Sequence, residues 1–172
     1  MTRVLLYKPH DFNNLCLVAR TLEVFGLTEC YVHDIHRIVR DRYGKSYSRR
    51  LRVVSAGAFS RIQWIRVSDP IDLVRAHSGR SVATVADTAS ECLTTFRFEP
   101  SDLIVFGSEG CGLPPELVRE CQRSVTIPMR GKTKSFNLAV ACGIILYEAF
   151  RQLGLLSQTH GDNGPDIPSG RS

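Results

Sequence analysis

The chain has 172 residues, which suits one domain with a sizeable core and leaves little room for a second. Apolar residues make up 43% and charged residues 23%, an ordinary globular composition that excludes a disordered or fibrous chain. Lys and Arg outnumber Asp and Glu by 22 to 17, and the formal net charge of +5 suits a polyanionic partner without requiring one.

Residues 4–7, Val-Leu-Leu-Tyr, predict a short buried strand, and this run is too short for a signal peptide. Over 14–25, Leu15, Val18, Leu22 and Phe25 recur at helical spacing, and Gly26 closes the helix. Residues 30–33 are a second strand candidate. The stretch 37–52 then carries Arg37, Arg40, Arg42, Lys45, Arg49, Arg50 and Arg52 against one acid, Asp41, with Tyr43 and Tyr47 interleaved. A run of charge alone is usually a solvated face; the interleaved aromatics favour RNA contact here.

Strand character returns over 61–67, a helix is expected over 71–77, and strands over 81–86 and 103–106. Two prolines open a helix at 114–121, where a missing N–H costs nothing. A strand at 124–127 precedes a long apolar helix at 136–153, ended by Gly154. Alternating strands and helices predict an α/β fold with a mostly parallel sheet. The folded unit is expected over 1–156. The Gly-, Pro- and Ser-rich remainder, 157–172, cannot bury enough apolar area and is expected to be a flexible tail.

The longest apolar stretch, 138–147, is about half what a membrane span needs, so no membrane association is expected. The six cysteines form no CxxC pair and have no His at zinc spacing. They predict buried reduced thiols, no metal, and a cytoplasmic setting.

Two segments carry the chemistry. The first, FGSEGCGL at 106–113, holds three glycines within six residues, which suits a tight turn or a backbone pressed against a ligand. It matches neither GxGxxG nor GxxxxGK[ST], and Glu109 would repel a phosphate, so a dinucleotide fold is disfavoured. An acidic loop accepts a neutral or cationic ligand instead. The second segment, 127–138, runs from a strand through Arg130, Gly131, Lys132, Thr133 and Lys134 into an apolar helix. Taken alone, Ser135 or Asn137 reads as that helix's N-cap, and Lys132 and Lys134 as solvated side chains.

Together the two segments resemble motifs two and three of the SPOUT superfamily, in its TrmH (SpoU) branch of RNA 2′-O-ribose methyltransferases. Motif one of that branch is matched by Asn14, by Arg20-Thr21 and by Phe25-Gly26, and 55–58 is similar to a linking stretch the branch often carries. The resemblance spans roughly residues 4–153. It implies a single-domain α/β fold with helices on both faces and a deep C-terminal trefoil knot. It also implies S-adenosylmethionine as cofactor and a homodimer with its active site at the subunit interface.

Carried over by residue, the resemblance assigns Thr84, Gly107, Ile127, Met129 and Leu138 to the cofactor. It assigns Asn14, Glu109, Ser135 and Asn137 to the catalytic pocket, and Arg20 to binding the phosphate beside the target ribose and drawing the hydroxyl into reaction. One departure is Cys16, where motif one usually has glycine. RNA recognition falls to Arg40, Arg42, Lys45, Arg49, Arg50, Lys132 and Lys134. The compact length and the closing residues 147–154 look like the minimal wobble-ribose tRNA methyltransferases of the superfamily, whereas FGSEG looks more like TrmH proper or its ribosomal RNA relatives. Of the two, tRNA is favoured over ribosomal RNA. The rivals are ribosomal RNA, an inactive RNA-binding relative, and a base methyltransferase, which usually lacks the Asn-to-Arg motif.

Overall fold

Every strand is parallel to its neighbours among the described residues of this computed structural model, which are 1–33 and 53–156. In chain order the elements are β1 (Arg3–Tyr7), α1 (Phe12–Val24), β2 (Glu29–His33), a 3-10 turn (Ala58–Ser60), β3 (Gln63–Arg66) and α2 (Pro70–Ala76). There follow β4 (Ser81–Thr84), β5 (Glu91–Cys92), β6 (Leu103–Phe106), α3 (Pro115–Glu120), β7 (Arg123–Thr126) and α4 (Leu138–Gln152). The sheet order is β3-β2-β1-β6-β4-β7-β5.

The central strands are apolar on both faces, as a parallel sheet covered on both sides requires. Val4 and Leu6 of β1, with Ile104 and Phe106 of β6, join the main core beneath α1 and α4. Leu5, Leu103 and Val105 alternate to the opposite face, where they meet Val74 of α2 and Leu117 of α3. The parallel α/β architecture expected from the alternation is therefore present, with helices on both faces.

The helix boundaries follow their caps. Asp11 caps α1, its side chain accepting from the Asn14 N–H at 2.9 Å. Asp69 caps α2, and Asn137 caps α4 through the N–H groups of Ala139 and Val140. Buried Asp102 is compensated by a two-pronged bond from Arg80, at 2.9 and 2.8 Å, and by the Glu99 N–H at 2.9 Å.

Sequence periodicity missed β5, whose two residues pair only with β7 and are too few to carry a pattern. The expectation of buried thiols holds for Cys16, Cys30 and Cys142; Cys92 and Cys121 are half-buried, and Cys111 is exposed. Burial pushes the Cys142 thiol up to about 12. No helix among the described residues is long and apolar enough to cross a membrane.

Candidate active site

Ligands of open parallel sheets bind beyond the carboxyl ends of the strands, and a cavity of about 350 Å³ opens there, past β4, β6 and β7. All five residues assigned to the cofactor, Thr84, Gly107, Ile127, Met129 and Leu138, line it, and so do Glu109 and Ser135. Residues of the two glycine-bearing loops, distant in sequence, thus line one cavity.

The loop after β6 closes on itself: Ser108 N–H donates to the Gly112 carbonyl at 3.1 Å, and Gly112 N–H returns a bond at 3.0 Å. A side chain at Gly107 would lie 2.4 Å from the Gly112 carbonyl carbon and 2.6 Å from the Leu113 nitrogen. Only glycine lets the loop fold back so tightly. Gly112, with φ of 66°, supplies the left-handed turn. This fold directs Glu109 away from the loop and toward α1.

The Glu109 carboxylate accepts the His10 and Asp11 backbone N–H groups, each at 3.2 Å, and the Asn14 side-chain amide at 3.2 Å. The His10 ring nitrogen Nδ1 lies 3.0 Å from Oε2, the oxygen that also accepts the His10 N–H. A carboxylate at the start of α1 also meets the positive end of the helix. Asn14 accepts in turn from the Asn137 amide at 2.8 Å, while the Asn137 oxygen caps α4. Three chain segments are joined through Asn14, Glu109 and Asn137. An amide does not titrate near neutrality, so Asn14 and Asn137 hold geometry and leave proton transfer to other groups.

Asn137 thus caps α4, as its position suggests, and connects to Glu109 through Asn14; neither Asn14 nor Asn137 is among the residues lining the cavity. Ser135 lies exposed at the cavity wall, and Lys132 and Lys134 are exposed on the same loop. Arg20 is elsewhere: it is exposed on α1 and is not among the residues lining this cavity. It shares a helix face with Leu17 and Val24, which are 42% and 72% exposed. The basic residues Arg40, Arg42, Lys45, Arg49 and Arg50, and the tail 157–172, lie outside the described residues.

Sequence reasoning missed His10, which holds Glu109, and Asp87 and Cys111, which line the cavity. Asp87 could have been found by asking which polar residues follow each parallel strand. His10 has no such signal, because its role depends on a loop about a hundred residues away.

The family model described as "SpoU rRNA Methylase family" matches residues 1–147. The chain belongs to this family. The resemblance to the TrmH branch of the SPOUT superfamily is thereby borne out. The tRNA (cytidine(34)-2′-O)-methyltransferase of Beijerinckia indica is 36% identical over 157 residues, covering 89% of this chain and 92% of that enzyme. The 23S rRNA (guanosine-2′-O-)-methyltransferase RlmB of Acinetobacter baylyi is 32% identical over 83% of this chain, which spans only 56% of that enzyme. Among solved structures, the AdoMet-bound rRNA methyltransferase of Sinorhizobium meliloti superposes with a TM-score of 0.72 at 30% identity. That match covers 88% of this chain and 56% of the other.

Proposed function

We propose that this SpoU-family chain is an S-adenosylmethionine-dependent methyltransferase that modifies a ribose 2′-hydroxyl of tRNA in the cytoplasm. One observation carries the reading: Asn14, Glu109 and Asn137, from three separated segments, meet at the rim of a cavity lined by all five residues assigned to the cofactor. The cavity suits that cofactor. Its backbone-lined loop admits no side chain at Gly107, its floor is apolar at Leu138 and Ile127, and Glu109 and Asp87 add negative charge for a cation. When bound, S-adenosylmethionine supplies an electrophilic methyl group on a sulfonium.

The chain's own residues do the rest. The Asn14–Glu109–Asn137 bridge fixes the loops so that the hydroxyl approaches in line. Arg20 binds the phosphate beside the target ribose and orients the hydroxyl. Since Arg20 does not line the cavity of its own subunit, it serves the cavity of a partner in a homodimer. Leu17 and Val24 beside it, with Val140 and Tyr147 on α4, expose apolar surface suited to that contact. Lys132, Lys134 and the basic residues of 37–52 hold the RNA backbone.

The C-terminal trefoil knot is part of this reading, within one domain over 1–156. What supports it is the path of 84–103: the chain leaves β4, pairs beyond β7 through β5, and returns to β6 on the other side of β4. β7 and the chain that follows it would then pass through that loop. tRNA is favoured because this chain matches the cytidine-34 relative over nearly its whole length; the RlmB match favours ribosomal RNA as the second reading.

The test is methylation of total tRNA and ribosomal RNA with labelled cofactor, followed by nuclease digestion and mass spectrometry. Ribose-methylated nucleosides from tRNA are expected, with a loss of roughly 100-fold for Arg20→Ala. Mixing Arg20→Ala with Glu109→Ala subunits should restore activity, since one site of the mixed dimer is intact. Label on a base, or full activity of Arg20→Ala, would overturn the assignment.

A further inference from the structure

A second cluster sits one strand over from the cavity, at the carboxyl ends of β1 and β2. Tyr7 and His33 are the last registered pair of these strands, and their rings stack 5.5 Å apart at 22°. Lys8 follows with φ of 47°, a left-handed conformation that a lysine rarely adopts, and its N–H donates to the His33 carbonyl at 3.0 Å. This turn places the Lys8 ammonium 4.9 Å from the centre of the Tyr7 ring. His33 Nδ1 lies 2.9 Å from the Val67 carbonyl, and a carbonyl only accepts, so Nδ1 carries the proton and fixes the ring.

The three side chains are half-buried, so solvent reaches a surface made of two stacked rings and a cation. Strand-end packing alone does not account for the choice of residues. A glycine or asparagine would make the same left-handed turn at lower cost, and neither would bring an ammonium to the ring. Strained positions of this kind gather at ligand sites. The cluster is also continuous with the cavity. β1 is hydrogen-bonded to β6, and Leu113, which lines the cavity, packs with Tyr7 against the same smaller core.

We propose that Tyr7, Lys8 and His33 form a subsite for the nucleotide next to the one whose ribose enters the cavity. Lys8 engages the phosphate, and the Tyr7–His33 stack presents a platform to the base. Bases can reach such a platform only where they are unpaired, so the subsite selects a single-stranded stretch of RNA. The inference rests on the RNA reading above and adds to it where the neighbouring nucleotide lies.

The test is binding of a fluorescently labelled, short single-stranded oligoribonucleotide of mixed sequence, by anisotropy over a series of salt concentrations. Lys8→Asn removes the charge while keeping a residue that accepts the left-handed turn; Tyr7→Leu removes the ring while filling its apolar place. With Lys8→Asn the slope of log affinity against log salt should shrink by about 0.7, one single-strand phosphate contact. With Tyr7→Leu affinity should fall about tenfold with the slope unchanged. Thermal melting followed by circular dichroism reports the fold of each variant, and Lys8→Asn decides alone if Tyr7→Leu does not fold. A native-like Lys8→Asn with unchanged affinity and slope overturns the subsite, as does a native chain that ignores the oligoribonucleotide. Failure of the native chain to methylate any RNA would instead sink the enzymatic reading and leave these binding results standing.

Discussion

The Asn137 side-chain amide donates to Asn14 Oδ1 at 2.8 Å, joining residues 123 positions apart. Its oxygen meanwhile caps α4, so one side chain both starts a helix and ties it to the first turn of α1. The two roles separate by substitution. Asn137→Ala loses cap and bridge and should cost about 2 kcal/mol. Asn137→Ser keeps an oxygen for the cap and should cost about 1 kcal/mol. Methyl transfer should fall to a similar extent in both, since both lose the bridge. Urea unfolding run beside activity assays checks this, and an active Asn137→Ser would show that the bridge is dispensable.

Gly107 and Gly110 lie three residues apart in one loop and should respond oppositely to alanine. At Gly107 a Cβ would fall 2.4 Å from backbone, and backbone cannot move without opening the loop. At Gly110 the nearest neighbour is His10 Cε1, at 3.8 Å, an ordinary contact. Calorimetry with S-adenosylmethionine should find binding weakened more than about tenfold by Gly107→Ala, a loss above 1.4 kcal/mol, and nearly native for Gly110→Ala.

How much of this was legible beforehand depends on how local each signal is. The strands at 4–7 and 103–106 were readable because a strand buried on both faces is apolar at every position. The cavity wall was readable because Gly107, Ile127, Met129 and Leu138 belong to compact motifs. The two-residue β5 and the His10 contact with Glu109 were not. Each depends on a partner far along the chain, and neither leaves a periodic trace. Arg20 shows the same limit from the other side: its motif was plain, but its place on an exposed helix face, away from its own cavity, was not.

Cysteine reactivity should follow the observed environments. Cys111 is exposed and lines the cavity, whereas Cys16, Cys30 and Cys142 are buried. Burial pushes the Cys30 and Cys142 thiols up, and only thiolates react quickly. The hydrogen bond from Thr94 holds the half-buried Cys92 below the usual thiol range. Mass spectrometry during alkylation at mild alkaline pH should therefore find Cys111 and Cys92 modified before the buried three. S-adenosylmethionine should protect Cys111 and leave Cys92 unprotected. Equal protection of both would place the cofactor elsewhere.

The far end of α4 makes a further prediction, about acid. Glu148 accepts two bonds from Arg151, at 2.8 and 2.7 Å, and one from Gln152 at 2.8 Å, and these hold its carboxyl at about 2, below the ordinary 4.5. Gln152 also donates to the Phe96 carbonyl and accepts from the Phe98 N–H, so the helix end is tied to the chain between β5 and β6. A carboxyl depressed in the folded state contributes stability that is complete above its unfolded pKa and is lost as the folded group protonates. The loss should thus run from about pH 4.5 down to about 2. Arg151 is 54% exposed, and solvent screening limits the effect to less than about 1 kcal/mol. Denaturant midpoints measured across this range should fall less steeply for Glu148→Gln than for the native chain. Identical slopes would mean that Glu148 keeps the same partners in the unfolded chain, or that other carboxylates govern acid unfolding.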